Sequence, residues 1–235
     1  RYVFRIFAEG TVALPSGGMA AIVDQMKNDL PPERIRTGSR VASVHSEGVV
    51  LETGEHLNAG AVVLATEGPE TARLLGATAA VGSRGEWCLY YAAKDPPITE
   101  PYLVLNGNGS GWVNSLTVPS IVAPSYAPAG QHLISVVVIG HGAADDATVE
   151  ATVRGELSDW FGRGVSQWRH LETYRIVHAL PEQKPPMPDP TVRSAAIRPG
   201  IYVCGEYGSV PGIQWALLSG RQTAEAVVKM MNSNR

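Results

Sequence analysis

The sequence predicts a mixed fold, α+β with α/β character, in which the chain enters one α/β domain twice and an antiparallel-sheet domain is inserted between the two passes. Three observations carry that expectation. Two short runs, Ala61-Val62-Val63-Leu64-Ala65 and Gly200-Ile201-Tyr202-Val203-Cys204, have the unbroken apolar character of strands covered on both faces. Each is followed by a glycine-bearing turn and then by a helical pattern. Between them, over residues 85–180, strand-like runs alternate with Gly, Asn and Pro turns, the pattern of antiparallel sheet.

In chain order, residues 1–14 alternate loosely and read as a strand. Ser16-Gly17-Gly18-Met19 then opens a helix, with Ser16 placed to cap its free amides. Met19, Ile22, Val23, Met26 and Leu30 follow the spacing of one buried face, and Pro31-Pro32 ends the helix. Strands are expected at Arg40–His45, Val49–Glu52 and Ala61–Ala65, with a turn at Thr53-Gly54-Glu55. Thr66-Glu67-Gly68-Pro69 breaks the last of them, and a short helix runs through Thr71–Leu75. The middle region offers strands at Trp87–Ala92, Tyr102–Leu105, Trp112–Leu116, Leu133–Ile139 and Leu171–Val177. One amphipathic helix interrupts them, with Val149, Val153, Leu157, Trp160 and Phe161 on its apolar face. Five prolines between Pro181 and Pro190 mark an extended linker. A final helix after Gly212 places Ile213, Leu217, Gly220, Ala224 and Val227 on one face.

Composition narrows the function classes. The chain has 235 residues, 44% of them hydrophobic and 17% charged, as expected of a globular protein with a core. A net charge of -3 and the absence of a basic block give no reason to expect a nucleic acid as partner. The apolar runs are too short to span a membrane. Cys88 and Cys204 are expected as buried, reduced thiols of a cytoplasmic protein, since two cysteines make no disulfide framework. His132, His141, His170 and His178 have no metal-ligand spacing. Trp87, Tyr90, Tyr91, Trp112 and Trp168 are read first as sheet core and second as the lining of an apolar substrate cavity.

The segment from Tyr202 to Val227 is where chemistry concentrates. A strand ending in Gly205-Glu206 brings bare backbone and a carboxylate to the strand's carboxyl end, where open α/β sheets bind ligands. A helix begins at Gly212, and its unpaired amides face developing negative charge well.

This segment resembles the C-terminal flavin-binding signature of the amine-oxidase, phytoene-desaturase and protoporphyrinogen-oxidase superfamily. The matching residues are Gly205-Glu206, Gly212 and Ser219-Gly220-Arg221-Gln222-Thr223-Ala224-Glu225. Leu14-Pro15-Ser16-Gly17-Gly18-Met19 is similar to that superfamily's Pro-x-Gly-Gly-Met helix start. Val41–Val44 resembles its strand whose backbone meets the adenine, and Ala61–Thr66 its strand ending Ala-Thr near the cofactor. The resemblance implies the C-terminal part of an FAD-dependent oxidoreductase. It divides the chain into the remainder of a Rossmann-like FAD-binding domain, 15–75 and 195–235, and a substrate-binding domain, 1–14 and 76–194. It places Gly17, Gly18, Met19, Val41, Thr66 and Gly205 beside the cofactor and Glu206 near the ribityl chain and phosphates. The amides of Gly212, Ile213 and Gln214 would face the flavin's pyrimidine edge. The implied reaction is dehydrogenation or oxidation of a largely apolar small molecule by hydride transfer to the flavin.

Two departures qualify the resemblance. Trp215 stands where relatives commonly carry glycine, and Ile213 stands where monoamine oxidases place a cage tyrosine, which argues against a simple amine substrate. A larger difference is the lack of a Gly-x-Gly-x-x-Gly phosphate cradle. The dense cluster Gly107-Asn108-Gly109-Ser110-Gly111 is followed by a strand pattern and reads as a hairpin turn. An N-terminal dinucleotide-binding segment is therefore expected to be missing from this chain, and FAD binding by the chain alone is expected to be weak or absent. The rival readings are a non-catalytic binding or structural module and a half-enzyme completed by a separate partner chain.

Overall fold

The computed structural model describes residues 13–76, 82–140, 144–182, 195–208 and 210–233. The strand expected over residues 1–14 lies almost wholly outside them, as does most of the proline-rich stretch. The elements are α1 (Ala20–Asn28), β1 (Val41–His45), β2 (Gly48–Leu51), β3 (His56–Asn58), β4 (Val62–Leu64), α2 (Gly68–Leu75), β5 (Ser83–Ala93), β6 (Val104–Leu105), β7 (Val113–Thr117), α3 (Pro119–Val122), β8 (His132–Ile139), α4 (Asp146–Phe161), β9 (Arg169–Pro181), β10 (Ala196–Arg198), β11 (Ile201–Val203) and α5 (Ile213–Ser233). They form two compact units, one of Arg1–Ile35 with Gly85–Val177 and the other of Arg36–Arg84 with His178–Arg235.

The first unit is built on a five-stranded sheet in the order β6-β7-β8-β5-β9. Period-two alternation aims Trp87, Leu89, Tyr91 and Ala93 of β5 to one face, and all are buried. β8 runs antiparallel to β5, pairing Trp87 with Val138 and Tyr91 with Ile134. α4 covers that face with Val149, Val153 and Leu157, fully buried, while Trp160 and Phe161 pack at its edge. This is the helix face expected from the spacing. Asp145 caps α4 by accepting the Thr148 amide at 2.8 Å. Gly107–Gly111 joins β6 to antiparallel β7, and the Asn106 amide ties the turn by donating to the Ser110 and Val113 carbonyls. Trp87, Tyr91 and Trp168 belong to the core, whereas Tyr90 faces the opposite side of the sheet.

α1 departs from expectation. No residue of it is buried, and Met19, Val23, Met26 and Leu30 are among the exposed apolar side chains. Its spacing identified the apolar stripe correctly, but spacing reports which side of a helix is apolar and not whether anything covers it. Ser16 does not cap the helix, which starts after Met19 with no side-chain cap. The sequence grouped 15–75 together, whereas Pro15 and Ser16 are held in the first unit. Their carbonyls accept from Tyr126 Oη at 2.9 Å and Ser125 Oγ at 2.6 Å.

The second unit holds two small sheets, β1-β2-β3 and β10-β11-β4. β4 and β11 are parallel neighbours, pairing Val62 with Ile201 and Leu64 with Val203. Val62, Leu64 and Ile201 form a small core, but Val63 is 42% exposed, so β4 is covered on one face only. α5 begins beyond the β11 turn and anchors to the strand through polar atoms. Thr223, its buried residue, donates to the Val203 carbonyl at 3.5 Å, and Ser219 accepts the Gly205 amide at 3.1 Å. The expected inward face is corrected here: Ile213 and Leu217 are exposed, because the Ser219–Thr223 side turns toward β11. Cys88 and Cys204 are free and half-buried rather than buried. No helix among the described residues is long and apolar enough to cross a membrane.

Candidate functional site

Within the second unit, the carboxyl ends of parallel β4 and β11 open into two loops, the position where such sheets form ligand crevices. The β4 loop runs through Thr66, Glu67 and Gly68 into α2. Thr66 is held by its hydroxyl, 2.8 Å from that of Thr71. The β11 loop runs through Gly205, Glu206 and Tyr207 to Gly212, where α5 starts.

Backbone geometry explains the glycines. Gly205 has φ +115 and Gly212 has φ +139, conformations that side chains with a Cβ adopt only under strain. A Cβ on Gly205 would meet nothing within 4 Å, so its bare backbone faces open space. The Gly212 carbonyl accepts the amides of Trp215 and Ala216, each at 3.0 Å, which starts the helix. Glu206 closes the loop, its Oε2 accepting the Gly212 amide at 3.3 Å. A carboxylate thus sits on the positive end of a 21-residue helix, as the macrodipole favours. Ile213 and Gln214 are exposed on the first turn.

The two loops meet through Tyr207. Gly68 is buried, and a Cβ there would fall 1.9 Å from the Tyr207 ring, so only glycine leaves room for the ring. The Tyr207 hydroxyl is buried beside Ser83. Burial pushes its pKa up, the Ser83 hydroxyl acts the other way, and the charges of Glu67 and Glu206 add to the rise. Ser83 is 2.6 Å from His178 Nδ1 on the neighbouring strand β9. Burial also pushes the Cys204 thiol up, leaving it a poor nucleophile.

Of the residues expected from the sequence, Thr66, Gly205, Glu206, Gly212, Ile213 and Gln214 belong to these two loops and the start of α5. Val41 joins the same unit at a distance along the chain: its carbonyl accepts from Arg73 Nη2 at 2.9 Å, which ties β1 to α2. Gly17, Gly18 and Met19 lie in the first unit, at the tight turn where the Gly18 amide donates to the Pro15 carbonyl at 3.0 Å. Sequence reading missed Gly68, Ser83, His178 and Tyr207. Gly68 and Tyr207 adjoin recognised motifs, but Ser83 and His178 are 95 residues apart and meet only through strand pairing. Lys94 is exposed.

The residues present suit one end of a flavin. Bare backbone at Gly205 and the amide-bearing start of α5 suit a ring that gathers negative charge on reduction, whereas the Glu206 carboxylate suits hydroxyl donors. A family profile described as flavin containing amine oxidoreductase matches residues 3–228. No curated protein sequence matches the chain significantly. Among solved structures, a candidate protoporphyrinogen oxidase from Exiguobacterium sp. 255-15 superposes with a TM-score of 0.69 at 17% identity, covering 90% of this chain and 51% of that one. A reduced UDP-galactopyranose mutase gives 0.68 at 16% identity, covering 93% and 53%. A glycine oxidase from Geobacillus kaustophilus gives 0.53 at 20% identity, covering 81% and 48%. At these identities the likeness is one of fold, and the chain spans about half the length of these proteins.

Proposed function

The chain belongs to the flavin-containing amine oxidoreductase family, and from that premise we propose that it is the C-terminal part of an FAD-dependent oxidoreductase acting on a largely apolar small molecule. The observation that carries this reading is the pair of loops at the ends of parallel β4 and β11. There, Gly205 and Gly212 keep the backbone bare in front of a long helix, and Glu206 holds the first amide. Glu206 would hold the ribityl hydroxyls, and the Ile213 and Gln214 amides would face the pyrimidine edge, the Gly212 amide being taken by Glu206. A flavin bound there supplies a two-electron acceptor for hydride from a substrate carbon. The chain's own contribution is orientation and electrostatics, fixed before reaction by the helix start and its glycines.

The apolar substrate class rests on the sheet face turned away from α4. Tyr90 and Tyr174 meet edge-on there, ring centroids 6.0 Å apart. Cys88 Sγ and Ser135 Oγ, 3.6 Å apart, provide a small polar spot on the same face. Burial, together with the neighbouring Cys88, pushes the Tyr90 phenol up to about 12, so it remains a neutral donor at physiological pH. Such a wall suits a flat, uncharged molecule with one hydrogen-bonding group.

The test is cofactor uptake. The chain joined to an N-terminal dinucleotide-binding segment of the same protein should retain stoichiometric FAD through gel filtration, and Glu206→Ala should weaken that retention. A joined, folded protein that holds no FAD would overturn the reading.

A further inference from the structure

The face of the five-stranded sheet turned away from α4 gathers its polar atoms into one row. Thr117 of β7 stands opposite Ser135 of β8, and Ser135 stands opposite Tyr90 of β5. Residues directly opposite in an antiparallel pair carry their Cβ atoms about 5 Å apart, so the three hydroxyl side chains line up across three neighbouring strands. Cys88 Sγ, 3.6 Å from Ser135 Oγ, adds a thiol, and the Tyr174 ring of β9 meets the Tyr90 ring at the end of the row. Val137, Leu133 and Ala92 flank it on the same face. Where β5 and β8 pair, every side chain of this face is half-buried and uncharged. A sheet face turned to water instead carries polar residues all along each strand.

No charged group stands in the row. Glu86 is four positions from Tyr90 along β5, a distance of about 13 Å at the rise of a strand. It pairs with Ile139, and burial pushes its carboxyl up, against ionisation. Lys94, four positions from Tyr90 in the other direction, is exposed. On β9, Glu172 turns its Oε1 to the Thr173 amide at 3.2 Å. An ammonium laid on the row would lose water without gaining a counter-charge. A hydroxyl or carbonyl oxygen would exchange ordinary hydrogen bonds with hydroxyls that both donate and accept. We propose that Thr117, Ser135 and Tyr90 are specificity-determining residues that select an uncharged aromatic substrate by a hydroxyl or carbonyl oxygen, with Tyr174 as the ring wall beside it. The selection rests on the reading of this face as the substrate wall and narrows its hydrogen-bonding group to an oxygen.

The test is the binding of naphthol, naphthalene and naphthylmethylammonium to the joined protein, read by equilibrium dialysis at neutral pH. Wild type should hold naphthol about tenfold tighter than naphthalene, the worth of one well-made hydrogen bond. It should hold the ammonium no tighter than naphthalene. Tyr90→Phe, Ser135→Ala and Thr117→Val should each reduce the preference for naphthol and together abolish it. Naphthalene binding should stay as in wild type, a split that mere damage to the sheet would not give. Equal binding of naphthol and naphthalene by wild type would overturn the inference, as would tighter binding of the ammonium. An undiminished naphthol preference in the folded triple variant would overturn it too. Should Ser135→Ala not fold, Tyr90→Phe and Thr117→Val, which keep nearly the wild-type side-chain shape, decide the matter by the same criterion. Failure of all three probes to bind would remove the substrate wall and this inference with it. FAD retention measured in the same preparation decides the flavin reading separately.

Discussion

Gly212 and Gly68 meet the same requirement, the absence of a side chain, for different reasons. Gly212 sits at φ +139 with its amide on the Glu206 carboxylate. Under the proposed flavin reading, Gly212→Val should strain that turn and push the ring from the helix start. By analogy with oxyanion donors, losing one such contact costs ~3 kcal/mol in the reaction. The expected outcome is a folded variant with lower flavin content and slower flavin reduction, read beside its melting temperature. Normal flavin content and normal reduction would remove Gly212 from the site. Gly68 has no such backbone demand, and its constraint is the Tyr207 ring. Gly68→Ala should lower stability by about 1–3 kcal/mol, the usual cost of overpacking. Tyr207→Phe made in the same background should not restore it, because the clash involves ring carbons. Thermal denaturation of the two variants checks this.

The elements most legible in the sequence were those that complete their own burial. β5, β8 and α4 interlock through Leu89, Val136, Val153 and Leu157, each wholly buried; the sequence named the two strands and the buried face of the helix. Leu157→Ala should therefore cost about 2–5 kcal/mol in chemical denaturation. Asp145, the α4 cap, has its pKa lowered by hydrogen bonds to Thr148. A carboxyl held below its unfolded value stabilises the fold above that value and loses its effect as the pH falls through the folded one. The melting-temperature gap between wild type and Asp145→Ala should thus be full at neutral pH and narrow below about pH 4. α1 and α5 were legible as helices but not in their surroundings, since their exposed apolar stripes look like core stripes until coverage is known. The Ser83–His178 contact was illegible for another reason: it depends on how β5 and β9 pair, which neither local pattern encodes.

For the whole molecule, the proposed flavin-facing loops come without a phosphate cradle in the sequence. The purified chain alone should be colourless, with no flavin absorbance in the visible, and stoichiometric yellow protein would contradict this. Met19, Val23, Met26 and Leu30 on α1, with Ile213, Leu217, Val228 and Met231 on α5, leave two apolar stripes exposed. Isolated chain should consequently bind a hydrophobic dye and self-associate as concentration rises, which light scattering would register. Joining it to a dinucleotide-binding segment should suppress both effects.

The geometry of β4 also bears on how such a joined protein could be engineered. Among the described residues β4 pairs with β11 alone, leaving its other edge without a strand. A strand continuing the sheet in the β11 direction cannot be delivered by a tight hairpin, because a parallel neighbour needs a crossover of a dozen or more residues. Such crossovers are right-handed in nearly all known cases. A short flexible tether between halves would therefore favour an antiparallel mispairing on that edge, whereas a long one would leave the register to the strands themselves. Tether length, more than tether composition, would decide whether a split version of this protein reassembles.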